Sequence, residues 1–104
     1  MSAPDLPVRL AKRAQRDYAN IQVYTIRTWD GQQWERYQAA LHHAFQTIGD
    51  NPAIGRTRDE LRPRYRSYAV EQHVILYRVT RDAVLVMRII AARRDIQRAV
   101  RGER

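Results

Sequence analysis

The chain has 104 residues, of which 44% are hydrophobic and 29% charged, so we predict a single domain over residues 1–104 with a two-layer core. It contains no cysteine, which excludes a disulfide framework, a thiolate nucleophile and a zinc–thiolate site. The net charge of +8 lies mostly in the second half, because residues 1–50 carry six basic and five acidic side chains and residues 51–104 carry thirteen and six.

A one-sided positive charge attracts phosphate backbones or an acidic protein segment. No stretch approaches the roughly 18 consecutive apolar residues of a membrane span. Residues 1–17 carry charges where a signal peptide would need an apolar run. We therefore expect a cytoplasmic protein that does not enter a membrane.

The first half of the chain predicts a short strand followed by a helix. Residues 6–10 predict an edge strand, since Pro7 lacks the backbone donor that an inner strand needs. From Ala11 onwards, apolar residues recur at steps of three and four, which is typical of one helical face. These residues are Ala14, Tyr18, Ile21 and Tyr24. We predict that this helix ends at Trp29.

A second helix follows almost at once. Asp30 is placed to cap its N-terminus, with Gln33 three residues later. We expect Gly49 to form a left-handed C-cap and Pro52 to prevent continuation. Its apolar face consists of Trp34, Tyr37, Leu41, Ala44 and Ile48. The short connection predicts that the two helices form an antiparallel hairpin whose apolar face needs a sheet to cover.

The second half predicts a meander of three strands over residues 64–70, 73–80 and 83–91, rich in Val, Ile, Leu and Tyr. Residues 96–100 predict a short C-terminal helix. We therefore predict an α+β fold: an antiparallel sheet of the N-terminal strand plus this meander, covered on one face by the helical hairpin. Residues in phase with apolar positions are expected in the core. They are Tyr65, Tyr77, Trp29 and Trp34.

Arginines recur along the meander. If the strands pair in order, these side chains and one tyrosine could converge on a concave face that holds a phosphate backbone or an acidic peptide. The residues concerned are Arg62, Arg66, Tyr68, Arg78 and Arg88. The alternative is an ordinary solvated sheet face.

Candidates for catalysis are few. His42 and His43 are adjacent on a helix, so their side chains diverge and cannot share a metal, and His73 begins a strand. Asp59 and Glu60 lie in a loop rich in arginine, where ion pairing is more common than general-base work. The sequence shows no phosphate loop, nucleophile elbow or metal-spaced carboxylates. We predict no metal, cofactor or small-molecule substrate.

Several segments, in this order, resemble the RelE/ParE toxin superfamily of bacterial type II toxin–antitoxin modules, and its ParE branch in particular. They are NPAIGR at residues 51–56, DELRP at 59–63, YRSY at 65–68, HVILYRV at 73–79, RII at 88–90 and Arg94-Asp95. The resemblance implies the same fold, and a toxin that a cognate ParD-like antitoxin neutralises in a hetero-oligomer. ParE-like members poison DNA gyrase, whereas RelE-like members cut messenger RNA in the ribosome.

RNA cleavage needs a proton acceptor, a proton donor and cations for the developing charge. ParE-like chains usually carry His where this chain has Ala91, and Met where it has Arg94. RelE-like nucleases place a His or Tyr near the end of the chain for this role, but the equivalent residues 91–94 of this chain supply only the cations Arg93 and Arg94. We therefore predict a toxin without catalytic residues that binds gyrase. The alternatives are a ribosome-dependent endonuclease using Arg66, Tyr68 and Arg88, an inactivated toxin, and a basic nucleic-acid-binding module.

The interpretation assigns two sets of binding residues. The predicted target-binding residues are Arg62, Arg66, Tyr68, Arg88, Arg93, Arg94 and Asp95. The predicted antitoxin-binding residues are Tyr18, Trp29, Trp34, Tyr37, Arg58 and Arg78. The first set lies along the meander and at its two ends, and the second on both helices and at basic positions of the second half of the chain.

Overall fold

The computed structural model describes residues 5–101, which form three helices and a five-stranded sheet. In chain order the elements are β1 (Val8–Leu10), α1 (Lys12–Thr28), α2 (Gly31–Asp50), a 3₁₀ turn (Pro52–Ile54), β2 (Arg56–Thr57), β3 (Arg66–Val70), β4 (His73–Val79), β5 (Val84–Ala91) and α3 (Ile96–Arg101). The strand order is β1-β5-β4-β3-β2. The predicted α+β class, helical hairpin, three-strand meander and short C-terminal helix are confirmed. None of the helices in this range is long and apolar enough to cross a membrane.

The sheet departs from the prediction at its two edges. β1 pairs in parallel with β5, with Val8 opposite Val84, so the sheet is mixed and not wholly antiparallel. β2 was not predicted, because two residues are too few to show the alternation that identifies a strand. It pairs antiparallel with β3, with Arg56 opposite Ser67.

Helix α2 begins as predicted. The Asp30 carboxylate accepts a hydrogen bond from the backbone N–H of Gln33 at 2.7 Å, which satisfies one of the unpaired donors of the first turn. The N-cap residue of α1 is Ala11, whose side chain makes no capping hydrogen bond, and the N–H of Trp29 closes the last turn on the carbonyl of Thr25 at 2.9 Å. The two helices therefore follow each other with only residues 29 and 30 between them.

The predicted role of Gly49 is wrong. Gly49 is buried within α2, no glycine of residues 5–101 has a positive φ, and Asn51 is the C-cap. The backbone passes close by instead: the Leu6 N–H donates to the Gly49 carbonyl at 3.1 Å, and a Cβ on Gly49 would lie 2.8 Å from the Leu6 carbonyl oxygen. Glycine is needed here because the segment before β1 packs directly on the end of α2.

We expect the substitution Gly49→Ala to lower the free energy of unfolding by about 1–3 kcal/mol, because the new methyl group would push against backbone that cannot rotate away. Urea denaturation measures this change. Gly31→Ala is the matched control, since a Cβ at Gly31 meets nothing within 4 Å and should change stability by less than about 1 kcal/mol. Equal effects of the two substitutions would contradict the close approach.

The sheet carries an apolar core on each face. The core under the helical hairpin contains Ala14, Ile21, Trp34, Ala44, Ile48, Ile75, Tyr77, Val84, Val86 and Ile89. The core on the opposite face, where α3 packs, contains Tyr65, Leu76, Ile90 and Val100. The predictions that Tyr65, Tyr77 and Trp34 are buried are therefore confirmed. The same prediction for Trp29 is wrong, because its side chain is 68% exposed.

Candidate functional site

The single arginine-bearing face predicted for the meander does not exist. Residues directly opposite each other on paired strands share a face. Arg66 lies opposite Tyr77 and therefore on the face of the helical hairpin, whereas Arg88 lies opposite Leu76 and on the other face. Arg78, next to Tyr77 in β4, also lies on that other face.

Arg88 is a buried structural residue. Its side chain is 2% exposed, and it donates to the Asp17 carboxylate from Nε at 2.8 Å and from Nη2 at 3.3 Å. The N–H of Ile89, beyond the part of β5 that pairs with β1, donates to the same carboxylate at 3.0 Å. Arg88 also donates to the Ala99 carbonyl of α3 at 3.4 Å. Its prediction as an accessible target-binding residue is corrected, because the guanidinium ties α1 to β5 and α3.

Three other predicted target-binding residues also make contacts within the chain. Arg66 donates to the carbonyl oxygens of Ala53 and Gly55, at 3.2 and 2.7 Å, and so holds the 3₁₀ turn. Arg62 donates to the Val100 carbonyl of α3 at 3.3 Å. Tyr68 is half-buried against the core under the hairpin. The structure thus spreads these residues over two faces and gives each a packing role.

The remaining predicted target-binding residues, Arg93, Arg94 and Asp95, are exposed where β5 ends. The Asp95 carboxylate caps α3 by accepting from the Arg98 N–H at 3.0 Å. The two arginines line a groove of about 650 Å³ between α1 and the end of the sheet. The full lining is Arg13, Asp17, Asn20, Ile21, Tyr24, Glu71, Gln72, His73, Ile89, Ala91, Ala92, Arg93 and Arg94.

A tyrosine–histidine pair lies at this groove. His73 begins β4, directly opposite Ala91 of β5, and its Nδ1 is hydrogen bonded to the hydroxyl of Tyr37 on α2. Burial lowers the pKa of His73, against the opposing effect of the Asp17 charge. Burial also raises the pKa of Tyr37 to about 12. Both side chains are therefore neutral at neutral pH.

The His73 imidazole should make stability fall in mild acid. The unfolded chain takes up this proton near the ordinary pKa of 6.5, while the folded chain resists it. The contribution of this group is complete above pH 6.5 and is lost as the pH falls further, by at most about 1.4 kcal/mol per pH unit. Urea denaturation at about pH 7.5 and about pH 5.5 measures the loss. It should be smaller in His73→Gln, and an unchanged pH dependence in that variant would contradict the assignment.

A stripe of exposed apolar side chains runs down the last turns of α1 to the tip of the hairpin. Val23, Ile26 and Trp29, at steps of three residues, are 49, 44 and 68% exposed. Tyr24, expected in the core, is 61% exposed and also lines the groove. Val23 and Ile26 were not predicted as surface residues, since an apolar residue on a helix gives no sign in the sequence of whether it is buried or exposed. We call these four residues the apolar tip.

Of the predicted antitoxin-binding residues, only Trp29 belongs to the apolar tip. The prediction that Trp34 contacts the antitoxin is corrected, because its side chain is only 6% exposed. Its ring packs edge-on against the ring of Tyr18, with centroids 5.5 Å apart. The Tyr18 hydroxyl is hydrogen bonded to His42 at 3.0 Å, and Tyr37 is bound to His73.

Arg58 is paired with Glu60 at 2.7 Å. Arg78 is exposed, but on the sheet face away from the hairpin.

A two-helix hairpin on a small mixed sheet, with an exposed apolar tip and a basic groove, defines a small α+β domain with a surface suited to a macromolecular partner. Among residues 5–101 there is no group of three His, Asp or Glu side chains that could hold a metal ion. The chain belongs to the ParE toxin family, since the family model described as the ParE toxin of the type II toxin–antitoxin system parDE matches residues 8–96.

Named relatives agree with this membership. Toxin ParE1 of Mycobacterium tuberculosis is 37% identical over 90 residues, which is 86% of this chain and 92% of the relative. Toxin ParE1 of Caulobacter vibrioides is 34% identical over 73 residues, 70% of this chain and 76% of the relative. A solved structure described as the chromosomal ParDE TA system from P. aeruginosa matches with a TM-score of 0.72 and 13% identity, covering 84 and 96% of the two chains. At that identity the likeness shows the fold.

Proposed function

We propose that this ParE-family toxin is held inactive by a ParD-like antitoxin, and that its target is DNA gyrase in the cytoplasm. The observation that carries the proposal is the apolar tip beside a basic groove on a chain of the ParE family. The structural neighbour is itself described as part of a ParDE system. Toxin and antitoxin would then form a hetero-oligomer.

The apolar tip has the chemistry that an antitoxin segment would recognise. Contiguous exposed apolar side chains on a small protein mark a protein-binding surface. An amphipathic segment could place its apolar residues on Val23, Ile26 and Trp29 and its carboxylates near Arg93 and Arg94. The net charge of +8 favours an acidic partner.

We further propose that the toxin acts by binding and not by catalysis. The residues assigned to the rival endonuclease activity do not assemble: Arg88 is buried, and Arg66 is bound to backbone carbonyls on the opposite face of the sheet. The nearest imidazole to Arg93 and Arg94 in the groove lining is His73, whose Nδ1 is occupied by Tyr37. This arrangement supports a docking surface.

Expression in a bacterial host tests the proposal. Induction of the chain alone should arrest growth, and co-expression of the product of an adjacent short reading frame should relieve the arrest. Primer extension on messenger RNA after induction should show no new cleavage in ribosomal A-site codons. A-site cuts that disappear in Arg66→Ala would overturn the binding mechanism, and an arrest that no neighbouring gene product relieves would overturn the antitoxin.

A further inference from the structure

The groove beside His73 is basic. It contains three arginines, Arg13, Arg93 and Arg94, and two acidic residues, Asp17 and Glu71. Asp17 is already neutralised, because its oxygens accept from the guanidinium groups of Arg13 and Arg88 and from a backbone N–H. Glu71, in the exposed hairpin turn, is the remaining acidic side chain of the lining.

His73 offers a donor to this groove. We assign the Tyr37 hydroxyl as the donor in its hydrogen bond to Nδ1 of His73. An imidazole that accepts at Nδ1 and is neutral carries its proton on Nε2. His73 therefore presents an N–H donor, and this tautomer suits the binding of an anion better than the removal of a proton.

The backbone holds the two exposed arginines next to this imidazole. His73 lies directly opposite Ala91 of β5. The Ala92 N–H donates to the Gln72 carbonyl at 2.8 Å, and the Arg94 N–H donates to the Ala91 carbonyl at 3.0 Å. Because the side chains of Ala91 and Ala92 are small, the groove stays open between α1 on one side and Arg93 and Arg94 on the other.

We propose that this groove binds a phosphate group of a nucleic acid, held by the guanidinium groups of Arg93 and Arg94 and by the Nε2–H of His73. Forked guanidinium donors and an N–H converging from different directions match the several oxygen acceptors of a tetrahedral phosphate. The volume of about 650 Å³ accommodates one nucleotide. The exposed ring of Tyr24 on the opposite wall can stack on a base.

The test uses the purified full chain without gyrase or antitoxin, so its outcome is independent of the function proposed above. Fluorescence anisotropy measures binding of a labelled single DNA strand of roughly ten nucleotides at about 50 and 200 mM salt. We expect Arg93→Ala with Arg94→Ala to weaken binding about tenfold or more. The matched control is Arg27→Ala with Arg36→Ala, which removes the same charge from exposed positions outside the groove and should change affinity less than about threefold.

Two further measurements separate a specific site from general attraction to a basic protein. The side-chain NMR signals of His73 should shift on addition of the strand, and Glu71→Gln should tighten binding about two- to threefold by removing a repulsive charge. Displacement by a nucleoside monophosphate at similar phosphate concentration would confirm the site and identify a free nucleotide as its ligand. No binding at low salt, equal losses in the two double variants, or unshifted His73 signals would overturn the proposal.

Discussion

Replacing Asp17 with alanine is expected to lower the free energy of unfolding by about 3–5 kcal/mol. The substitution would leave the Arg88 guanidinium, 2% exposed, without its carboxylate, and the N–H of Ile89 without its acceptor. A small domain has a total stability of about 5–15 kcal/mol. The loss should therefore remove a large fraction of the stability and lower the midpoints of thermal and urea denaturation strongly.

Thermal and urea denaturation followed by circular dichroism measure this effect. Arg13→Ala is the control, since Arg13 contacts the same carboxylate at 3.1 Å from a side chain that is 39% exposed. It should cost at most about 1 kcal/mol. The double variant Asp17→Leu with Arg88→Met should recover most of the stability, because it removes both charges together. If Asp17→Ala were as mild as Arg13→Ala, the buried ion pair would not be the link between α1, β5 and α3.

Replacing Trp29 with alanine is expected to weaken binding of the antitoxin about 30-fold, which corresponds to about 2 kcal/mol for an exposed aromatic anchor at an interface. The side chain is 68% exposed in the isolated toxin. Its removal should therefore change the stability of the toxin itself by only about 0.5 kcal/mol. Isothermal titration with the product of the adjacent reading frame measures the affinity.

Ile54→Ala is the matched control for this substitution. Ile54 is also a large exposed apolar residue, at 41%, but it lies in the 3₁₀ turn and outside the apolar tip. We expect the affinity of the Ile54→Ala variant for the antitoxin to stay within about threefold of that of the unmodified toxin. Equal losses in Trp29→Ala and Ile54→Ala would show that the antitoxin does not use the apolar tip.

Local signals in the sequence predicted most of the fold. The Asp30 cap, the apolar face of α2 and the Val-, Ile- and Tyr-rich strands each depend on neighbours within a few residues, so they can be read from one chain. The parallel pairing of β1 with β5 could not be predicted in this way, since alternation identifies a strand without giving its direction.

Simple alternation along β5 could not predict the face of the sheet on which Arg88 lies. The register shifts between Leu76 and Tyr77, so β5 has an additional residue relative to β4. Val84 and Val86 face the hairpin, and simple alternation would place Arg88 with them. After the bulge Ile89 takes that face instead, and Arg88 turns to the other. A bulge of one residue leaves no reliable mark in the sequence, but it reverses every later side chain.

The groove was only half predicted for a similar reason. Arg93 and Arg94 were identified from the basic end of the meander, whereas Tyr37 and His73 lie 36 residues apart in the chain and meet only through the packing of α2 on the sheet. Because residue 91 is alanine, the sequence indicated that no imidazole lies at this end of the meander. The pairing of β4 with β5 places His73 opposite residue 91.

The measurement that tests the central claim most directly is DNA supercoiling by purified gyrase in the presence of the purified toxin. We predict that the toxin inhibits supercoiling at micromolar concentration and leaves gyrase-linked cleaved DNA, and that prior addition of the antitoxin abolishes both effects. Supercoiling that continues unchanged at toxin concentrations that arrest growth would contradict gyrase as the target.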